Sequence, residues 1–245
     1  MLTCYDATFA HVLDAAGVDV ILIGDSLGMV CQGRRDTLPV SMDDMVYHTA
    51  CVARGNQGAW LIADMPFGSY QGQRDDAITN AVRLIKAGAH MVKLEGGGWT
   101  ADLVRALVER GIPVCGHLGF TPQSVHSLGG YRVQGRDEAG VNRLRAEASA
   151  LAEAGADMLV FELMPAEVAR SVTQGLPIPV IGIGAGSGVN GQVLVLHDML
   201  NLTAGRMPRY VKDFTEGSAN IQSAVRRYVE DVKEGRFPND LVHGY

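Results

Sequence analysis

Four short apolar runs in this chain each end in an acidic residue, and a helix-like stretch precedes every one of them. Val20-Ile21-Leu22-Ile23 leads through Gly24 to Asp25, and Trp60-Leu61-Ile62-Ala63 leads to Asp64. His90-Met91-Val92-Lys93-Leu94 ends at Glu95, and Met158-Leu159-Val160-Phe161 ends at Glu162. Alternating helix-like and strand-like segments predict an α/β fold, and their number predicts a (β/α)8 barrel, where the carboxyl ends of all strands gather on one face. Four carboxylates on one face repel unless a cation or a proton sits among them. A hard divalent metal is the simplest resolution.

The remaining segments complete the alternation. Leu2 to Tyr5 reads as a first strand, Ile112 to Cys115 as a fifth with His117 at its end, and Ile178 to Ile181 as a seventh. An eighth is expected near Met199 to Leu202, and a final helix from Ser218 to Lys233. Asp6 and Ser41 read as helix N-caps. Ala15-Ala16-Gly17-Val18-Asp19, Lys86-Ala87-Gly88-Ala89-His90 and Glu153-Ala154-Gly155-Ala156-Asp157 repeat one helix-to-strand turn, in which glycine closes the helix in the left-handed conformation. Two connections are long for a barrel, Leu27 to Pro39 and Gly119 to Gly140, and the second reads as a cover. Residues 1–245 are expected to form one barrel with a C-terminal helix, since the 245-residue length is close to the roughly 250 residues typical of this architecture.

Composition narrows the function classes. At 47% hydrophobic and 20% charged residues the chain has globular rather than disordered composition. The formal charge of -6, without a Lys/Arg cluster, argues against nucleic-acid binding. No apolar stretch approaches the roughly 18 residues of a membrane span, and no secretory leader is visible at the start. Cys4, Cys31, Cys51 and Cys115 lack paired spacing, which fits reduced thiols in a cytoplasmic protein.

Oxygen ligands without clustered His or Cys point to Mg2+ rather than zinc. Two direct carboxylates, waters and substrate oxygens would complete an octahedron, and such a site polarises a carbonyl. Lys93 and Glu95 share a strand face. An inward lysine needs an anion, either a substrate carboxylate or a neighbouring acid. Cys115 and His117 also share a face, without forming a known nucleophilic signature; His117 reads as a donor to substrate or a satisfied core histidine. The glycines at 182, 184, 186 and 188 allow either a phosphate cradle or tight backbone passage, and they match no dinucleotide or P-loop spacing.

Several dispersed segments resemble one family. They include Gly24-Asp25-Ser26-Leu27-Gly28-Met29, Tyr47-His48-Thr49, Ala63-Asp64-Met65-Pro66-Phe67 and Val92-Lys93-Leu94-Glu95-Gly96-Gly97. Pro113 to Gly119, Thr121-Pro122-Gln123-Ser124, Gly129-Gly130-Tyr131, Val133-Gln134-Gly135-Arg136, Pro179 to Gly186 and His197-Asp198 continue the match. Together they resemble the ketopantoate hydroxymethyltransferases of pantothenate and coenzyme A biosynthesis. That resemblance implies a (β/α)8 barrel of the phosphoenolpyruvate/pyruvate superfamily. It implies transfer of a hydroxymethyl group from the cosubstrate 5,10-methylenetetrahydrofolate to α-ketoisovalerate (3-methyl-2-oxobutanoate) through a Mg2+-stabilised enolate. It further implies Asp25 and Asp64 as direct Mg2+ ligands, Glu95 as a ligand through water, and Glu162 as the proton acceptor. Asp25, Ser26, Asp64 and Lys93 would contact the keto acid, and His117 would donate to its developing oxyanion. A homo-oligomer, a homodecamer, is expected.

Two features depart from the family pattern. Its members usually carry a further helical segment ahead of the part matching Leu2 to Tyr5. Asn190 stands where the family usually has Asp. The rival readings are a Mg2+-dependent C–C lyase of oxo acids on the same scaffold and a non-catalytic binding barrel. The first would be expected to carry a catalytic cysteine loop, and Cys31 is the only loop cysteine near the acids. The second would have no need of Glu162 on a separate strand.

Overall fold

The computed structural model describes residues 1–203 and 207–245. Eight parallel strands form one sheet in sequential order: β1 (Leu2–Thr3), β2 (Val20–Ile23), β3 (Trp60–Asp64), β4 (Met91–Glu95), β5 (Val114–Gly119), β6 (Met158–Glu162), β7 (Val180–Ile183) and β8 (Gly191–Gln192). A parallel bridge between Leu2 and Leu194 carries the chain beyond β8 back to β1. The Thr3 N–H donates to Leu194 O at 3.1 Å across this closure. The architecture is the expected (β/α)8 barrel.

The helices are α1 (Ala7–Ala15), α2 (Leu27–Val30), α3 (Met42–Gly55), α4 (Arg74–Lys86), α5 (Ala101–Val108), α6 (Glu138–Glu153), α7 (Ala166–Gln174), α8 (Leu196–Met199), α9 (Ile221–Lys233) and α10 (Asp240–His243). Asp6 caps α1 by accepting from the Phe9 N–H, and Ser41 with Asp44 forms a reciprocal capping box on α3. No described helix is long and apolar enough to cross a membrane.

Three expectations shift. The fifth and seventh strands start two residues later than the apolar runs suggest, because Pro113 and Pro179 have no N–H for the ladder. At its other end β5 also runs further than expected, to Gly119, so His117 lies within it rather than at its end. The eighth strand is Gly191–Gln192; the residues near Met199 instead lie at the end of the one-turn α8. The Leu27–Pro39 connection is partly ordered as α2.

Packing inside the barrel explains why the site is polar at one end. Leu22, Ile62, Met91, Cys115, Val160 and Ile181 fill the interior as an apolar plug. Strand side chains alternate, so two residues further along the same strands stand Asp64, Lys93, His117, Glu162 and Ile183. Ionisable groups therefore sit directly on a dry floor. The larger apolar cluster fills the space between the sheet and the surrounding helices.

Candidate active site

Asp64 and Lys93 are register partners on β3 and β4, and the Lys93 ammonium lies 2.9 Å from Asp64 Oδ1. Glu95 and His117 are partners on β4 and β5, with Nδ1 3.4 Å from Glu95 Oε1. His117 Nε2 is 3.3 Å from Glu162 Oε2 at the end of β6. Asp25 joins this set from the turn after β2, where its N–H donates to Asp64 Oδ2 at 3.0 Å. All six side chains are buried. The sequence-predicted acids thus converge, with Lys93 paired to Asp64 and His117 spanning Glu95 and Glu162.

Local backbone geometry aims these groups. Gly119 has φ 94°, and a Cβ there would lie 2.2 Å from Glu162 O; glycine lets the end of β5 turn close beside its register partner Glu162 on β6. Leu163 directly after Glu162 has φ 47°, a left-handed conformation that is rare for a non-glycine residue. The Gln134 N–H donates to Leu163 O at 2.8 Å and helps hold that turn. Ser26 Oγ is 2.9 Å from the Tyr5 hydroxyl, which donates to Thr3 Oγ1.

Packing four acids around two cations has an electrostatic cost. Burial pushes the Asp25 carboxyl well above its ordinary pKa, and the charges of Asp64 and Glu95 add to that. Burial raises Asp64 despite Lys93, and raises Glu162 despite His117. Burial also opposes ionisation of Glu95, but His117, Lys93 and the Gln123 N–H overcome it and hold that carboxyl low. For His117, burial and Lys93 favour the neutral ring, yet Glu162 and Glu95 prevail and lift its pKa to about 9. A protonated imidazole therefore bridges two carboxylates, and Nε2 has no well-aligned hydrogen bond.

Whether this set suits a divalent cation can be judged from its donors. With all four acids ionised, Asp25, Asp64, Glu95 and Glu162 against Lys93 and protonated His117 would leave two formal negative charges, which one divalent ion would balance; the raised Asp25, Asp64 and Glu162 carboxyls are the cost of holding that charge without such an ion. Asp64 Oδ1 is buried without a well-aligned hydrogen bond among the described residues and lies beside the Lys93 ammonium. Among the described residues no three His, Cys, Asp or Glu side chains form a ready-made metal cage. Mg2+ commonly takes one or two protein carboxylates and keeps several waters, so a cage is not what it requires. The donor set fits.

Other candidates resolve differently. Cys115 belongs to the apolar plug, and burial pushes its thiol up to about 12, which removes it as a nucleophile. The glycines after β7 serve tight passage rather than a phosphate cradle. Cβ atoms at Gly184, Gly186 and Gly188 would meet Tyr210, Ala166 and Arg170 at 2.9, 2.3 and 2.6 Å. Gly28 likewise makes room for Val40. Asn190 exchanges hydrogen bonds with the Val180 main chain at the start of β7, on the face opposite the acids. Gln123 and Tyr70 are two further residues at the site that sequence patterning did not single out. Both are buried, and their hydrogen bonds reach Asp25 and Glu95.

The family described as ketopantoate hydroxymethyltransferase matches residues 1–240. The chain is 60% identical over 246 residues to 3-methyl-2-oxobutanoate hydroxymethyltransferase 2 of Methylibium petroleiphilum, spanning 100% of this chain and 88% of that protein. It is 57% identical to the 3-methyl-2-oxobutanoate hydroxymethyltransferase of Verminephrobacter eiseniae, over 100% of this chain and 83% of the relative. Among solved structures, a putative lyase/mutase from Burkholderia cenocepacia superposes with a TM-score of 0.60 at 20% identity, over 93% of this chain and 89% of the other. A 2,3-dimethylmalate lyase of the PEP mutase/isocitrate lyase superfamily superposes with a TM-score of 0.55 at 23% identity, over 74% and 65% of the two chains. These structural likenesses bear on the fold alone. The match across nearly the whole chain and the near-60% identity to these enzymes place it in the ketopantoate hydroxymethyltransferase family of transferases.

Proposed function

We propose that this chain transfers a hydroxymethyl group from 5,10-methylenetetrahydrofolate to α-ketoisovalerate, giving ketopantoate. The names of its relatives support the acceptor, and the buried Glu95–His117–Glu162 array at the ends of β4, β5 and β6 is the observation that carries the chemistry. Glu162 stands across His117 from the Asp25, Asp64 and Glu95 group. That separation suits a general base that must act while the other acids hold the substrate's oxygen end.

Asp25 and Asp64 would hold Mg2+ directly and Glu95 through a water; the bound ion would polarise the keto oxygen and acidify the C3–H bond. The Glu162 carboxylate takes the C3 proton, and the C–H electron pair moves into the enolate. Burial raises the basicity of Glu162, which brings it closer to that task. Protonated His117 can donate towards the developing oxyanion, and Lys93 can turn from Asp64 to the substrate carboxylate. The enolate C3 then bonds to the one-carbon unit. Both C–N bonds between that carbon and the folate nitrogens break, water supplying the hydroxyl oxygen in their place. One nitrogen takes the proton that Glu162 removed and the other takes a proton from the water, so tetrahydrofolate leaves and the base is restored. Ser26, held by Tyr5, lies beside Asp25 as a further substrate contact. A homo-oligomer, a homodecamer, completes the proposal.

Exchange of the α-ketoisovalerate C3 proton in deuterated solvent, followed by NMR, tests the base. The protein should catalyse exchange with Mg2+ present. Glu162→Gln should slow it by about 10²–10⁴-fold while keto-acid binding stays near normal. Normal exchange by the variant would remove Glu162 from this role, and loss of keto-acid binding would count against it.

A further inference from the structure

Gln123 lies on the turn after β5 and is 6% exposed, yet each of its side-chain polar atoms is engaged. Its Nε2 donates to Asp25 Oδ2 at 2.9 Å and to Met65 O at 3.0 Å. Its backbone N–H donates to Glu95 Oε2, also at 2.9 Å. Its Oε1 accepts from the Tyr70 hydroxyl at 2.7 Å and from Gln71 Nε2 at 3.1 Å. The Tyr70 hydroxyl in turn accepts from the Glu95 N–H at 3.0 Å. One residue therefore connects the ends of β2, β3 and β4 from a fourth loop.

We infer that Gln123 is a positioning residue whose side-chain amide sets the orientation of the Asp25 carboxylate for cation binding, while the backbone N–H of the same residue holds Glu95; the inference rests on the metal site proposed above. The contacts occupy one oxygen of each acid, Oδ2 of Asp25 and Oε2 of Glu95, and so fix where the second oxygen points. An amide is suited to this position for a chemical reason. Its NH2 side can donate to Asp25 while its oxygen accepts from Tyr70, a division that neither a carboxylate nor an ammonium can make. The hydrogen bonds place no added charge among the acids. Partners that orient metal-binding carboxylates influence affinity without touching the ion.

The test uses Mn2+ as the spectroscopic probe for the divalent site, with binding read by electron paramagnetic resonance on the whole chain. Gln123→Met fills a similar volume without the donor, and Gln123→Ala removes both donor and bulk. Folding is followed in parallel by thermal unfolding after chelation. Wild type should bind Mn2+, and both variants should lose affinity by about 10- to 100-fold, as is typical for residues that orient metal ligands. The KM for α-ketoisovalerate should rise with the loss of cation. Unchanged Mn2+ affinity in a folded Gln123→Met, even with a lower Tm, would overturn the inference and leave Gln123 a loop tether. Absence of Mn2+ binding by wild type would instead overturn the metal site itself.

Discussion

Replacing Lys93 by Met removes the cation that faces Asp64 while keeping most of the side-chain length. Lys93 is 4% exposed, and its ammonium stands 2.9 Å from Asp64 Oδ1 and 3.5 Å from His117 Nδ1. At 2.9 Å, two unit charges in an effective dielectric of about 20 attract by about 6 kcal/mol. Removing one member of a buried pair leaves the other uncompensated and costs about 3–5 kcal/mol. For a chain of this size, at roughly 2–4 °C per kcal/mol, the Tm should fall by at least about 6 °C. The pH dependence follows from Asp64, which burial already raises and which loses its largest opposing influence in the variant. A carboxyl whose folded pKa lies above its unfolded value favours the fold below that unfolded value, and the contribution is lost as pH rises through the folded pKa. The variant's deficit should therefore be smallest in mild acid and largest at alkaline pH. Thermal unfolding followed by circular dichroism, with a chelator present so that bound cations do not mask the effect, supplies the readout. A variant as stable as the parent at alkaline pH would refute the buried counter-ion account of Lys93.

Two further outcomes follow from the same geometry. The His117 imidazole should titrate near 9 in an NMR pH series on chelated protein, and the stabilisation it provides should be complete below its ordinary value and fade as pH rises through about 9. Titration at or below its ordinary value would mean that Glu95 and Glu162 do not hold the ring charged. Gly119→Ala should lower Tm and turnover together, because its φ of 94° adds on the order of 1–3 kcal/mol of strain and its Cβ would displace the Glu162 carbonyl. Parent-like stability and rate in that variant would show that the close approach of Gly119 to its register partner Glu162 is dispensable.

The barrel and its acidic rim were legible because apolar runs, glycine-closed helices and strand-end acids are local signals. Asp25, Asp64, Glu95 and Glu162 all fall where that pattern puts them. The eighth strand was not legible, since Gly191–Gln192 is too short to carry an apolar run and closure depends on the distant Leu2–Leu194 bridge. The sequence leaves Lys93 two partners, a substrate carboxylate or a neighbouring acid; the fold pairs it with Asp64, a register relation invisible in one strand alone. His117 lies inside β5 because that strand runs on to Gly119, and its pairing places it between two acids, Glu95 and Glu162. Gln123 escaped because an amide in a polar loop has no periodicity; only its burial and its bonds to residues 98 and 28 positions away distinguish it.

The most direct test is ketopantoate formation from α-ketoisovalerate and 5,10-methylenetetrahydrofolate, measured with Mg2+ and again after chelation. The proposed function predicts product in the first reaction, little or none in the second, and recovery when Mg2+ is restored. Folded protein that forms no ketopantoate with Mg2+ present would contradict the proposed reaction, and equal rates with and without chelation would contradict the role assigned to Asp25, Asp64 and Glu95.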